Sequence, residues 1–159
     1  MEFELHGVKF KYEDEKMYRW KELKKGNAWK NLKLYNTKRG YLHFDFRCDN
    51  TRYTYKLHRI VYWLHNPEWD IFDTSIYNNS IDHIDRNRLN NNIENLRVVT
   101  NQGNSFNKSN VKGYYWSKEH KKWVGQICLN RKIIFLGYFE LEEDARQAYL
   151  DAKEKYHII

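Results

Sequence analysis

Cysteine, proline and long apolar runs are all scarce in this chain. The two cysteines, Cys48 and Cys128, stand 80 residues apart without CxxC spacing. They exclude a four-cysteine zinc knuckle and a disulfide framework. No apolar run approaches the roughly 18 residues that a membrane-spanning helix needs, and the opening MEFELHGVKFKYEDEK has no signal-peptide core. The expected compartment is therefore cytoplasmic, with no membrane partner. The single proline, Pro67, marks one break, after an apolar segment.

Positive charge and aromatic rings are abundant. Across 159 residues, 28 Lys and Arg face 21 acids, a net charge of +7, with a pI near 9.3. Such a balance favours polyanionic partners, although charge alone does not separate an enzyme from a simple binder. Aromatics make up 17 %, including 13 Tyr and 6 Trp. They let small cores form from few residues and can stack on bases.

The most informative stretch is IDHIDRNRLNNNIENLRVVTNQGNSFN, Ile81 to Asn107. It holds Asp82, His83, Asn95 and Asn104 within 23 residues. Leu96–Val99 reads as a short strand, and Thr100 as the N-cap of a helix carrying Asn104. The expected local order is strand, loop, strand, helix. A helix after a hairpin can bring Asp82 and Asn104 to one side. Two oxygen donors of that kind suit a hard divalent cation that keeps several waters, and an adjacent imidazole can take a proton from an attacking water. These are the parts of a phosphodiester hydrolase.

The same residues resemble the ββα-metal motif of HNH endonucleases. Asp82-His83 matches its opening pair, Asn95 in Glu-Asn-Leu its central Asn twelve residues after His83, and Asn104 its closing position nine further on. The resemblance implies His83 as general base, Asp82 and Asn104 as ligands of one Mg²⁺ or Mn²⁺ per active site, and Asn95 as the residue that ties down the loop. The closing Asn, in place of His, resembles phage homing enzymes.

Before this stretch, Met17, Trp20 and Leu23 at near-helical spacing predict a short amphipathic helix over Glu13–Lys25, ended by Gly26. From Gly40 the pattern turns to period two. Leu42, Phe44 and Phe46 alternate with polar neighbours, Asp49-Asn50-Thr51 makes a turn, and Arg52 to Lys56 returns, a β-hairpin. A helix follows, with Leu57, Ile60, Val61 and Leu64 on one face. Gly40 to Pro67 is similar to the hairpin and helix that often precede an HNH motif. Its cations, Arg47, Arg52 and Arg59 among them, are candidates for phosphate contacts. His58 could be a further phosphate contact or could serve the packing of the helix.

After a Ser- and Asn-rich linker over Ser105–Val111, three strands are expected at Gly113–Ser117, Lys122–Cys128 and Lys132–Leu136, then a helix over Glu140–Tyr156 with Ala residues on its inner stripe. Asn107 to Lys132 carries seven Lys or Arg and one acid; Glu140 to Ile159 carries three and six. An acidic helix should cover one face of the sheet and leave the other basic and free. Through G-Y-Y-W, K-W-V-G-Q-I, F-L-G-Y-F and E-E-D-A-R-Q-A-Y the module resembles the AP2 DNA-binding domain. That resemblance implies DNA contacts from Lys112, Trp116, Lys118, Lys122, Gln126 and Arg131. Cys128 and Phe135 depart from the plant pattern, so no sequence preference carries over.

The expected fold class is α+β: a ββα-metal nuclease unit (71–108) flanked by an N-terminal hairpin and helix (1–70) and a C-terminal three-stranded sheet plus helix (109–159). The expected function is site-specific, metal-dependent cleavage of double-stranded DNA in the manner of a homing endonuclease, by a monomer or homodimer. The alternatives are an inactive DNA-binding regulator and a restriction or defence nuclease.

Overall fold

The computed structural model describes residues 1–73, 75, 79–107 and 111–157. The chain forms two compact units, one of Met1–Ser75 with Ile81–Val98 and one of Ile76–Ser80 with Val99–Ile159. Among the described residues no helix is long and apolar enough to cross a membrane.

The first unit opens with strands Glu2–Leu5 (β1), Val8–Glu13 (β2), Lys16–Lys21 (β3) and Ala28–Leu32 (β4), an antiparallel sheet in that order. This overturns the helix expected over Glu13–Lys25. Asp14 and Glu15 both adopt positive φ, 50° and 59°, the two-residue reversal whose twist suits a hairpin. Met17 is buried in the core. Trp20, three positions on, lies on the opposite face of β3. The apparent period of three therefore combined apolar residues from both sides of one strand, whose bulky aromatics fit a pleated surface.

Tyr35–Asn36 (β5), Leu42–Cys48 (β6) and Thr51–Lys56 (β7) make a second antiparallel sheet. Asp49 and Asn50, at φ 48° and 61°, form the expected turn. Leu57–His65 (α1) follows β7 directly, and Leu57, Ile60 and Val61 bury the predicted face. The helix stops at Asn66, because Pro67 disfavours helical backbone in the residue before it. Ser80–His83 (β8) pairs with Leu96–Val99 (β9), the expected strand–loop–strand. Ile81 and Leu96 from this pair share one core with Phe10, Met17, Phe44, Phe46, Leu57, Ile60 and Val61. Asp82 and His83 are thus fixed by a buried neighbour in the same strand, and each such core side chain contributes about 1.5–3 kcal/mol.

The second unit begins with the short helix Asn101–Phe106 (α2), capped by Thr100, whose hydroxyl accepts from the Gly103 amide at 3.0 Å. Ser105 and Phe106 belong to this helix and not to the expected linker; Lys108–Asn110 of that linker lie outside the described residues. Tyr114–Ser117 (β10), Lys122–Leu129 (β11) and Lys132–Phe139 (β12) form an antiparallel sheet under Glu142–Tyr156 (α3). Ile127, Tyr149 and Ala152 form the buried centre between sheet and helix. The approach is close: a Cβ on Gly113 would fall 1.8 Å from the Tyr149 ring.

The face away from α3 is not the free basic surface expected. Register puts Tyr115, Val124 and Tyr138 on it in one row, and Gln126 with Phe135 and Cys128 with Ile133 in others. Tyr115, Phe135, Tyr138 and Ile133 are exposed. That face is largely aromatic and apolar, and Lys122, opposite Ser117 on it, is paired with Glu140 at 2.8 Å. Lys118, Lys121 and Arg131 sit in the turns between the strands.

Candidate active site

Asp82 and His83 end β8, and both are buried, at 7 % and 3 % exposure. A carboxylate and an imidazole are held there by three sets of contacts.

The first set fixes the imidazole. Asn91 Nδ2 donates to the Leu89 carbonyl at 3.1 Å, which turns Asn91 Oδ1 toward His83 Nε2, 3.2 Å away. An amide oxygen only accepts, so Nε2 carries the hydrogen, and in the neutral ring the lone pair lies on Nδ1. The His83 ring also meets His58 edge-on, centroids 5.1 Å apart at 73°, and Tyr41 at 5.9 Å. His58 is itself buried, and its pKa is lowered to about 3, first by burial and then by His83, Lys56 and Arg59. A ring held neutral in this way packs against His83 without adding charge. Above Tyr41 stand Lys56, 5.1 Å from the ring centre, and Arg88, at 4.9 Å, and Arg88 donates to the Arg39 carbonyl at 2.7 Å.

The second set fixes the loop. Asn95 Oδ1 accepts from the Asp85 amide at 2.9 Å; its Nδ2 donates to Asp85 Oδ1 at 2.9 Å and to the Asn90 carbonyl at 2.8 Å. Asn90 Nδ2 donates to Asp85 Oδ2 at 2.7 Å, the leading cause that holds the Asp85 carboxyl below its usual range. Successive Asx turns at Asp85, Asn87, Asn90 and Asn92 close the rest. The many asparagines of the motif are therefore spent on loop geometry.

The third set engages the carboxylate. Arg97 on β9 donates to Asp82 Oδ2 through Nε at 3.2 Å and Nη2 at 3.1 Å. Asn104 lies on α2, in the second unit. Among the described residues no group of three or more His, Cys, Asp or Glu side chains is placed to hold a metal. The buried Asp82 carboxylate is a donor that a hard cation accepts, since Mg²⁺ keeps several waters and completes its shell from phosphate.

The remaining predicted residues scatter. Arg47 is exposed at the end of β6, and Arg52 is paired with Asp45 at 2.6 Å. Arg59 differs from the expectation of a phosphate contact: half-buried, it donates to the carbonyls of Ile71 and Asp73 at 2.8 and 3.1 Å and stacks on Trp69. In the second unit Asn104, Lys112, Gln126 and Arg131 converge on a cleft of about 900 Å³. Lys118 stands in the β10–β11 turn. Trp116 pairs with Trp123, rings 5.6 Å apart, on the α3 side of the sheet and not with Gln126. Sequence reasoning missed Asn91, Arg97 and Tyr41 altogether. Asn91 sits in an asparagine-rich loop where nothing distinguishes one amide from the next, and Arg97 shows only as a polar residue of β9.

Residues 55–106, from the end of β7 through α2, match the sequence profile of the HNH endonuclease family. Among curated relatives it is similar to Protein 3.8 of Escherichia phage T7, 44 % identical over 59 residues, which is 33 % of this chain and 49 % of that protein. It is also similar to the uncharacterized HNH endonuclease L560 of Acanthamoeba polyphaga mimivirus, 47 % identical over 75 residues, 47 % of this chain and 34 % of that protein. The matched regions thus span half or less of either relative. Among solved structures, the HNH homing endonuclease I-HmuI, from a study of DNA binding and cleavage, aligns at 29 % identity and a TM-score of 0.41, over 58 % of this chain and 46 % of that one.

Proposed function

We propose that the protein is a metal-dependent DNA endonuclease of the homing type. The observation that carries this reading is the buried Asp82–His83 pair at the end of β8, its imidazole oriented by Asn91, inside the segment that matches the HNH endonuclease family. His83 Nδ1 takes a proton from a water as the water's oxygen bonds to phosphorus. The P–O3′ bond breaks, and the departing 3′ oxygen takes a proton from solvent, leaving a 5′-phosphate and a 3′-hydroxyl. General-base help of this kind is worth about 10²- to 10⁴-fold. Asp82 would hold one Mg²⁺ or Mn²⁺, with Asn104 as the second donor on motif spacing alone, and such a cation would supply charge neutralisation on the phosphate and on the leaving oxygen. Asn95 keeps the loop from displacing His83. Arg97 holds the Asp82 carboxylate oriented before a cation arrives.

The AP2 resemblance and the cations of the second unit assign Lys112, Lys118, Gln126 and Arg131 to DNA contacts beyond the cut. With one active site per chain, a monomer nicks, and a double-strand break needs a homodimer or a second event. One observation favours a second reading: a guanidinium on Asp82 can also stand in place of a cation in a DNA-binding protein that no longer cuts.

The test is conversion of supercoiled plasmid carrying phage and host fragments to nicked or linear form in Mg²⁺, beside EDTA and His83→Ala. Cutting that needs the metal and His83 supports the nuclease. Salt-sensitive binding without cutting of any fragment supports the second reading.

A further inference from the structure

Register sorts the charges of the first sheet by face. On one face Glu2 stands opposite Lys11, Glu4 opposite Lys9 and Glu13 opposite Lys16. Each cation there has a carboxylate across the ladder, the arrangement that stabilises a sheet. The other face starts apolar, with Phe10, Met17 and Leu32 in or against the core. As β3 and β4 run on, it turns basic: Arg19 stands opposite Lys30, and Lys21 opposite Ala28. Like charges directly opposite each other cost stability, and nothing on this face offsets them.

The turn between the two strands adds the exposed Lys24 and Lys25, and Lys33 follows β4. From Arg19 to Lys33 there are six Lys or Arg and one acid, Glu22. Among the described residues none of the six joins an ion pair. Arg19 Nη2 donates to the Arg47 carbonyl at 3.3 Å, which continues the row to the end of β6, where Arg47 stands opposite Arg52. Arg52 has Asp45 as its partner. Residues two apart on one strand are about 7 Å apart, roughly two steps of the 3.4 Å axial rise between phosphates on one DNA strand. A two-stranded ribbon is also narrow enough to lie along a groove.

We propose that Arg19, Lys21 and Lys30 on the β3–β4 ribbon, with Lys24 and Lys25 at its tip and Arg47 beside it, bind the phosphate backbone of duplex DNA outside the cut site. The choice of DNA among polyanions rests on the nuclease reading above. The surface reads no base directly, so it lends affinity and position without sequence preference.

The full chain is titrated with a long random-sequence DNA duplex in EDTA, by fluorescence anisotropy over a range of salt. Lys21→Ala with Lys30→Ala lowers the slope of log affinity against log salt by about 2, roughly 1 for each phosphate no longer neutralised. Lys24→Ala with Lys25→Ala, in an exposed turn that no fold depends on, lowers it likewise. Lys9→Ala with Lys16→Ala, whose cations face glutamates, leaves it unchanged. An unchanged slope in the first two pairs, or an equal fall in all three, overturns the proposal. Plasmid nicking in Mg²⁺ separates the two readings: a wild type that nicks beside unchanged slopes refutes the ribbon alone, and a wild type that never nicks beside lowered slopes refutes the nuclease alone.

Discussion

The loop between β8 and β9 and the ribbon of β3 and β4 treat polar side chains in opposite ways. In the loop Asp85, Asn90, Asn91 and Asn95 each hold a neighbour within 3.2 Å, and Asp82 is engaged by Arg97. In the ribbon and its turn six cations in fifteen residues, Arg19 to Lys33, make no ion pair among the described residues. Chemistry at one atom needs groups whose positions are set in advance. Holding a repeating polyanion needs charges left available, which gain by releasing counterions. On the proposals above, the loop is where the chain reacts and the ribbon where it binds, and substitutions should separate the two.

The largest separation is expected at His83. His83→Ala lowers the nicking rate about 10²- to 10⁴-fold and leaves DNA affinity and its salt slope as they were, measured by gel conversion and anisotropy on the same preparation. Loss of affinity together with rate would merge the two regions. Next is Asn95→Ala, which removes three loop hydrogen bonds made by a buried side chain. It should cost about 2–3 kcal/mol in urea unfolding and slow nicking without changing the salt slope.

His58 sharpens the contrast through pH. Its folded pKa, about 3, lies below its unfolded value, so the unfolded chain binds a proton that the native state refuses, and stability falls as pH drops from about 6.5 toward 3. Between pH 6.5 and pH 5 this amounts to roughly 2 kcal/mol. His58→Phe, which packs without titrating, should flatten that part of the urea-midpoint profile; an unaltered acid slope would deny His58 the role. The smallest effect is expected from Lys9→Ala with Lys16→Ala, within about 0.5 kcal/mol in stability and nothing in salt slope. A steep response there would mean that the glutamate-paired face also binds.

Legibility in the sequence followed the same division. Leu96–Val99, the Thr100 cap, the β6–β7 hairpin and α1 were readable, because each has a local signal: period two, an N-cap hydroxyl, turn residues, or a 3.6-residue apolar stripe ended by proline. The roles of Asn91 and Arg97 were not, since both depend on which side chain the fold brings to His83 and Asp82. β3 was misread because Met17 and Trp20 serve opposite faces of a strand at a spacing that suits a helix equally well. The outer face of the β10–β12 sheet was misread because charge was counted along the segment, whereas alternation placed Tyr115, Phe135 and Tyr138 outward. Position in a register is invisible until the partner strand is known.

The most direct test of this division of labour is a single-turnover nicking assay at saturating protein on supercoiled plasmid in Mg²⁺, with wild type, His83→Ala and Lys21→Ala/Lys30→Ala side by side. The predicted result is a rate at least about a hundredfold lower for His83→Ala and an unchanged rate for the lysine pair once the DNA is saturated. Equal rates for His83→Ala and wild type, or a saturated rate that falls as far in the lysine pair as in His83→Ala, would contradict it.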